Sequence, residues 1–195
     1  MGDGIVGARR NLELKARDRD PARSVDVCAG LGGDDRGTLN QRDTYFETPR
    51  GRLKLREEPG AAAHLIAYER PDLADHSVSR YRLVEVGEPA ELRDALAAVL
   101  GLSVVVSKVR RLFVFEGVRI HLDRVEGLGD FIEFEGVAAE DEDPDRFAGL
   151  LGDLRDAFGI RDVDLLGVSY SDLLRSVAVA SQDSSSFSQI SLRAG

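Results

Sequence analysis

The sequence predicts an α+β protein built on an eight-stranded antiparallel β-barrel, with helices packed outside it. Three observations lead there. Short strand-like segments recur at hairpin spacing, parted by turn signals such as Pro49-Arg50-Gly51, Glu58-Pro59-Gly60 and Glu116-Gly117. A few amphipathic helices interrupt them, so that about eight strands and four helices share 195 residues. In several strands, charged residues alternate with aliphatic ones, and the charges come in pairs of one sign. So many strands in so short a chain suggest a sheet that closes or nearly closes on itself.

The elements follow in order. Residues 1–9 read as a poorly ordered lead, 10–177 as one folded domain, and 178–195 as a disordered Ser-rich tail. The first strand covers about 10–17. Asp20-Pro21 supplies an N-cap and a Pro at the first helical position, opening a helix to about Gly30 with Val25, Cys28 and Ala29 inward. Strands are expected over about 38–47, 52–56, 62–70 and 77–86, with Pro71 stopping the third of these. A helix opens at Glu88-Pro89, shows Leu92, Leu96, Val99 and Leu100 at helical spacing, and closes at Gly101. Three more strands span about 102–116, 117–124 and 129–138. Asp143-Pro144 caps a second strong helix with Phe147, Leu150, Leu151, Leu154 and Phe158 on its inner face. A short helix over about 171–177 precedes the tail.

The charged faces carry the functional question. With a period of two, Glu13 and Lys15 share a face, as do Lys54 and Arg56, Lys108 and Arg110, Arg119 with His121 and Asp123, and Glu133 and Glu135. An antiparallel sheet with one solvated face accounts for such alternation. The sorting by sign points the other way: basic pairs occupy the middle strands, and acidic residues lie on the first and last. Turned inward, these faces would line a channel in which Arg and Lys bind a polyanion and carboxylates hold a divalent metal. No Gly-rich phosphate loop is present, so such a site would be made of side chains.

Composition narrows the partners. The net charge of −9 argues against non-specific nucleic-acid binding and against an anionic membrane surface. No stretch approaches the ~20 apolar residues of a membrane span, and no signal-peptide pattern opens the chain, which reads as cytoplasmic. The lone Cys28 reads as a small core residue. Of the 26 basic residues only Lys15, Lys54 and Lys108 are lysines, and all three sit in strand-like segments beside other charges. A barrel edge or apolar helix face left uncovered would support a homodimer.

Several segments in order resemble the CYTH, or triphosphate tunnel metalloenzyme, superfamily, over about residues 10–174. Its opening Glu-x-Glu-x-Lys pattern is matched by Asn11-x-Glu13-x-Lys15. Gly51-Arg52-Leu53-Lys54-Leu55-Arg56, Tyr68-Glu69-Arg70-Pro71-Asp72, Ser79-Arg80-Tyr81, Lys108-Val109-Arg110-Arg111, Arg119-Ile120-His121-Leu122-Asp123 and Leu128 through Glu135 look most like the class IV adenylyl cyclase branch. So does the ending Gly167-Val168-Ser169-Tyr170-Ser171-Asp172.

The resemblance implies an eight-stranded tunnel that binds a triphosphate together with Mg²⁺ or Mn²⁺. By position, Lys15, Lys54, Arg56, Arg70, Arg80, Lys108, Arg110 and Arg119 would cradle phosphate oxygens, and Glu13, Asp123, Glu133 and Glu135 would sit at the metal end. A one-residue slip would instead turn Glu69 and Arg82 inward. Three functions are compatible with such a site: conversion of ATP to cyclic AMP and pyrophosphate, hydrolysis of inorganic, thiamine or nucleoside triphosphate, and binding without turnover. Lys15 is the candidate base for activating water, because cationic neighbours would depress its pKa. Asn11 departs from the pattern by removing one carboxylate from the metal end.

Overall fold

The computed structural model describes residues 6–69, 77–139 and 142–179, and the side chains of residues 11–69, 81–139 and 142–179. Eight strands alternate with the helices: β1 (Val6–Arg17), α1 (Pro21–Gly30), β2 (Asp34–Phe46), β3 (Arg52–Glu57), β4 (Ala63–Glu69), β5 (Ser77–Val86), α2 (Pro89–Leu100), β6 (Leu102–Phe115), β7 (Val118–Val125), β8 (Gly129–Ala138) and α3 (Ala148–Phe158). Residues 170–179 form a last helix, α4. The strands close into a barrel in the order β1-β5-β4-β3-β2-β6-β7-β8, and β8 pairs back onto β1. Every pairing is antiparallel. Closure leaves no open sheet edge among them.

The main apolar core lies outside the barrel. Leu12, Leu14 and Ala16 of β1, Phe113 of β6, Val118 and Ile120 of β7, and Ile132 and Phe134 of β8 face outward. They pack beneath Cys28 of α1 and Phe147, Leu151, Leu154 and Phe158 around α3. Alternation then forces the intervening residues of these strands into the barrel. At Gly136 the chain before α3 comes so close that an added Cβ would lie 2.4 Å from the Phe147 ring. The helix α3 ends at Gly159, whose φ of 68° is the left-handed conformation that glycine adopts without penalty.

A second, smaller cluster sits inside one end of the barrel. Tyr45, Val106, Val125 and Phe131 meet Tyr170, the first residue of α4. The Phe131 and Tyr170 rings lie 4.9 Å apart. Asp172 ties this closure to β3, accepting a 2.8 Å hydrogen bond from Arg52 Nη2. Ser169 accepts from the Asp172 amide and donates to its carboxylate at 2.6 Å, capping α4.

The elements depart from the expected boundaries in informative ways. β1 begins at Val6 rather than near residue 10, because β5 supplies ladder partners that far back. α1 buries Ser24, bonded to Asp18 at 3.0 Å, and leaves Ala29 exposed. In α2 no residue is fully buried, and Val99 is 83% exposed: the helix crosses the barrel wall without being enclosed. Residues 180–195 of the expected tail lie outside the described residues. No helix among the described residues is long and apolar enough to cross a membrane.

Candidate functional site

A cavity of about 330 Å³ occupies the barrel interior. All three lysines of the chain line it: Lys15 from β1, Lys54 from β3 and Lys108 from β6. Arg56, Arg110 and Arg119 join them, as do Glu13, Glu133 and Glu135. The paired charges read from the sequence therefore face inward, with aliphatic neighbours outward.

Two acids organise the cations. Asp43 of β2 is the cross-strand partner of Arg56, and takes two 2.7 Å hydrogen bonds from its guanidinium and one of 2.8 Å from Lys54 Nζ. Although burial alone would raise its pKa, Arg56 and Lys54 hold its carboxyl well below the usual carboxylate range. On the adjoining pair of strands, Asp123 of β7 is the cross-strand partner of Arg110 and takes two 2.6 Å bonds from it. Lys108 Nζ lies 3.4 Å away, and the Tyr170 hydroxyl donates to the same carboxylate at 3.0 Å. Arg110 reaches on to Glu133 at 3.1 Å. Burial, aided by the Arg110 charge, pushes the Lys108 amine down to about 7.

A carboxylate edge runs along β1 and β8. Glu13 is the cross-strand partner of Glu135, and Lys15 that of Glu133. Lys15 Nζ lies 3.6 Å from Glu133 and 4.4 Å from the Tyr170 ring centre. Arg119 lies 3.3 Å from Glu135. Asn11 Nδ2 donates to Glu135 at 2.7 Å and to Glu13 at 3.4 Å, so a neutral amide bridges two acids. His121 stands 3.9 Å from both Glu133 and Glu135 and is buried, and burial with Arg110 lowers its pKa and favours the neutral ring.

The expected residues thus fall into three sets. Lys15, Lys54, Arg56, Lys108, Arg110, Arg119, Glu13, Glu133 and Glu135 line one cavity. Asp123 does not line it; its oxygens are taken up by Arg110, Lys108 and Tyr170. Arg70 lies outside the described residues, as does the side chain of Arg80. On β4 and β5 the inward residues are Ile66, Tyr68, Tyr81 and Leu83, while Glu69 and Arg82 are exposed. Sequence reasoning gave no role to Asp43, Gln41 or the tyrosines. Alternation did hold a signal for them, since Gln41, Asp43 and Tyr45 share one face of β2.

In donor type the carboxylate edge fits a hard divalent cation, which takes oxygen ligands. Glu13, Glu133 and Glu135 are the residues that would hold it. Among the described residues no three His, Cys, Asp or Glu side chains are already gathered at metal-binding spacing. Lys15, Arg110, Arg119 and Asn11 occupy the carboxylate oxygens instead.

Comparison with known proteins now settles the family. The CYTH domain model matches residues 9–170. The chain belongs to the CYTH family. A curated relative, a suspected adenylate cyclase of Methanocaldococcus jannaschii, is 25% identical over 172 residues, covering 83% of this chain and 97% of its own. Among solved structures, the PH1012 protein of Pyrococcus horikoshii superposes with a TM-score of 0.74 at 24% identity, covering 84% of this chain and 98% of that one. A Hippeastrum protein described as a suspected adenylyl cyclase with a dominant triphosphatase activity superposes with a TM-score of 0.63 at 19% identity, covering 85% and 95%. As a CYTH protein, the chain has the barrel and inward charges that its sequence led one to expect.

Proposed function

We propose that this CYTH protein is a metal-dependent enzyme that binds the triphosphate arm of its substrate inside the barrel and acts as an adenylyl cyclase, forming cyclic AMP and pyrophosphate from ATP. The observation that carries the reading is the convergence of Lys15, Lys54, Arg56, Lys108, Arg110 and Arg119 on one enclosed cavity of an otherwise acidic protein. Each of the six is paired with a carboxylate, and a polyanion that brings its own divalent cation could take those partners' place. The curated relative's name supports the cyclase form of the reading.

The side chains would do most of the work by positioning. Guanidinium groups offer paired N–H donors to phosphate oxygens, and the lysines supply point charges. Arg70 is proposed to complete the phosphate-binding set, whereas the register of β5 puts Arg80 on the face opposite Tyr81. Mg²⁺ or Mn²⁺ held by Glu13, Glu133 and Glu135, with Asp123 behind them, would neutralise charge developing on the phosphates. In the cyclase reaction the ribose 3′-oxygen attacks the α-phosphorus and pyrophosphate departs. Buried His121, whose ring burial and Arg110 keep neutral, would be available to take up the released proton.

A second reading is hydrolysis, in which water attacks the terminal phosphorus of inorganic, thiamine or nucleoside triphosphate. It is favoured by the Lys108 amine, which at about 7 holds a lone pair in part of the population near neutral pH. Lys15, on the neighbouring wall, is the other amine proposed for this step. Incubating the protein with ATP, inorganic triphosphate and thiamine triphosphate, each with Mg²⁺ or Mn²⁺, and resolving the products tests both readings. Cyclic AMP with pyrophosphate is the expected result; orthophosphate in its place would select hydrolysis. Binding without turnover would leave a sensor, and absence of binding would remove the triphosphate reading.

A further inference from the structure

A second cavity, of about 980 Å³, lies against the outer wall of the barrel, at the top of the range of small-molecule pockets, ~300–1,000 Å³. Asn40 and Arg42 of β2, Ser107 and Val109 of β6, and Arg124 of β7 line it from the outward face of their strands. The β3–β4 turn and the start of α2 bound its other side. Among the described residues it shares only Gln41 and Lys108 with the interior cavity, and Lys108 Nζ is turned to Asp123 inside the barrel.

Two kinds of surface meet in this groove. Pro59, Ala61, Ala62, Ala63, Val86 and Val109 give it an apolar lining of small side chains. Glu57, Glu58, Glu85 and Glu126 stand among them. The cations are fewer and partly engaged: Arg124 is held by Asp130 at 2.9 Å, and exposed Arg42 is the ladder partner of Glu57.

Two buried acceptors at the groove lack donors. Gln41 is only 5% exposed; its Nε2 donates to Glu58 at 2.8 Å, and its Oε1 is buried and accepts no hydrogen bond. Glu57 has one oxygen 3.7 Å from Arg93, and its Oε2 is likewise buried without a hydrogen bond. A buried acceptor left unmet is costly, more so when it carries charge, so the groove calls for donors. A bare divalent cation needs several oxygens converging on it, and no three acidic side chains are so gathered among the described residues. It would also leave the alanines and valines without a partner. An aliphatic chain bearing ammonium groups meets both demands: its methylenes lie on the apolar lining, and each ammonium brings several donors to the acids.

We propose that this outer groove is a binding site for a linear aliphatic polyamine, with one ammonium held between Glu57 and the Gln41–Glu58 pair. The site is separate from the barrel interior and stands whichever reaction the interior performs.

The test is a calorimetric titration of spermidine into the full chain at physiological salt, free of phosphate compounds, with and without excess Mg²⁺. One saturable site that persists in Mg²⁺ is expected. Ala62→Trp, at an exposed position on the edge of the groove, should fill it and abolish binding. Glu57→Gln, nearly the same shape without the charge, should weaken binding about ten-fold. Absence of binding overturns the proposal. So does uptake at many sites that Mg²⁺ displaces, which is the general attraction of cations to an acidic protein. Unchanged affinity in either folded variant places the amine elsewhere, the barrel carboxylates included, and also overturns it. The titration of the unmodified protein and the near-isosteric Glu57→Gln keep the proposal testable if Ala62→Trp disturbs the turn.

Discussion

Two walls of the barrel carry the same device in different surroundings. On β2 and β3, Asp43 grips Lys54 and Arg56; on β6 and β7, Asp123 grips Lys108 and Arg110. Each is a Lys-x-Arg strand with an acid as cross-strand partner of the Arg. The first is partly open, with Lys54 13% and Arg56 19% exposed as side chains. The second is closed, at 4% and 8%, and is further tied to Glu133 and the Tyr170 hydroxyl. We propose that identical residue types divide the labour: the more exposed Asp43 clamp exchanges its acid for a ligand, whereas the Asp123 clamp holds its side of the barrel together, and burial with the Arg110 charge lowers the pKa of Lys108 beside it.

That contrast is sharpest in stability. Asp123→Asn would strand two buried cations, and a loss of about 3–5 kcal/mol in urea unfolding is expected. Asp43→Asn, whose cations reach water more easily, should lose about 1–3 kcal/mol. Equal losses would erase the distinction between the clamps.

Ligand binding should reverse the order of sensitivity per unit of stability lost. Arg56→Ala should weaken inorganic triphosphate binding about 30-fold, equivalent to ~2 kcal/mol, in a calorimetric titration, with a smaller loss of unfolding free energy than Arg110→Ala. If Arg56→Ala destabilised the protein as much as Arg110→Ala did, the open clamp would be structural too.

The pH dependence separates the two lysines. The Lys108 amine is pushed down to about 7 from its ordinary 10.5, so it loses its charge in the empty protein as pH rises through 7. Triphosphate affinity should fall about ten-fold or more from pH 6 to 8.5, because one charge at about 4 Å in a buried site supplies more than the ~1 kcal/mol it supplies in bulk water, and binding above pH 7 should take up a proton. Calorimetry in buffers of different ionisation enthalpy measures that uptake, and Lys108→Met should abolish it while Lys54→Met leaves it. For stability the sign is opposite. Between 7 and 10.5 the unfolded chain holds the proton that the native lysine has lost, so the Lys108 contribution to stability rises with pH across that window.

The smallest expected effect is at the closure. Tyr170→Phe removes the hydroxyl that donates to Asp123 and should cost about 1 kcal/mol in unfolding. No change would mean that the closed clamp does not depend on α4.

The barrel and its inward charges were legible because a period of two is hard to disguise. Once Leu12, Leu14, Ile120, Ile132 and Phe134 are committed to the outer core, Glu13, Lys15, His121 and Glu133 have nowhere to go but inside. Asp43 was hidden because an acid in a strand full of polar residues offers no contrast. Only the cross-strand register with Arg56 reveals its use. Tyr170 was hidden for a different reason: its role depends on α4 folding back 47 residues to reach Asp123, a contact no local pattern encodes. The exposed Val99 of α2 shows the converse failure, where helical spacing promised burial and the barrel wall left that part of the helix uncovered.

The central claim is that the barrel interior is a receptor for a triphosphate, with the Asp43 clamp as its exchangeable side. Titrating inorganic triphosphate into the protein with Mg²⁺, and repeating the titration with Lys54→Ala/Arg56→Ala, tests it most directly. The account predicts saturable one-to-one binding that weakens with added salt and is lost in the double variant while its unfolding transition remains cooperative. Absence of binding to the unmodified protein, or undiminished binding to a folded double variant, would contradict it.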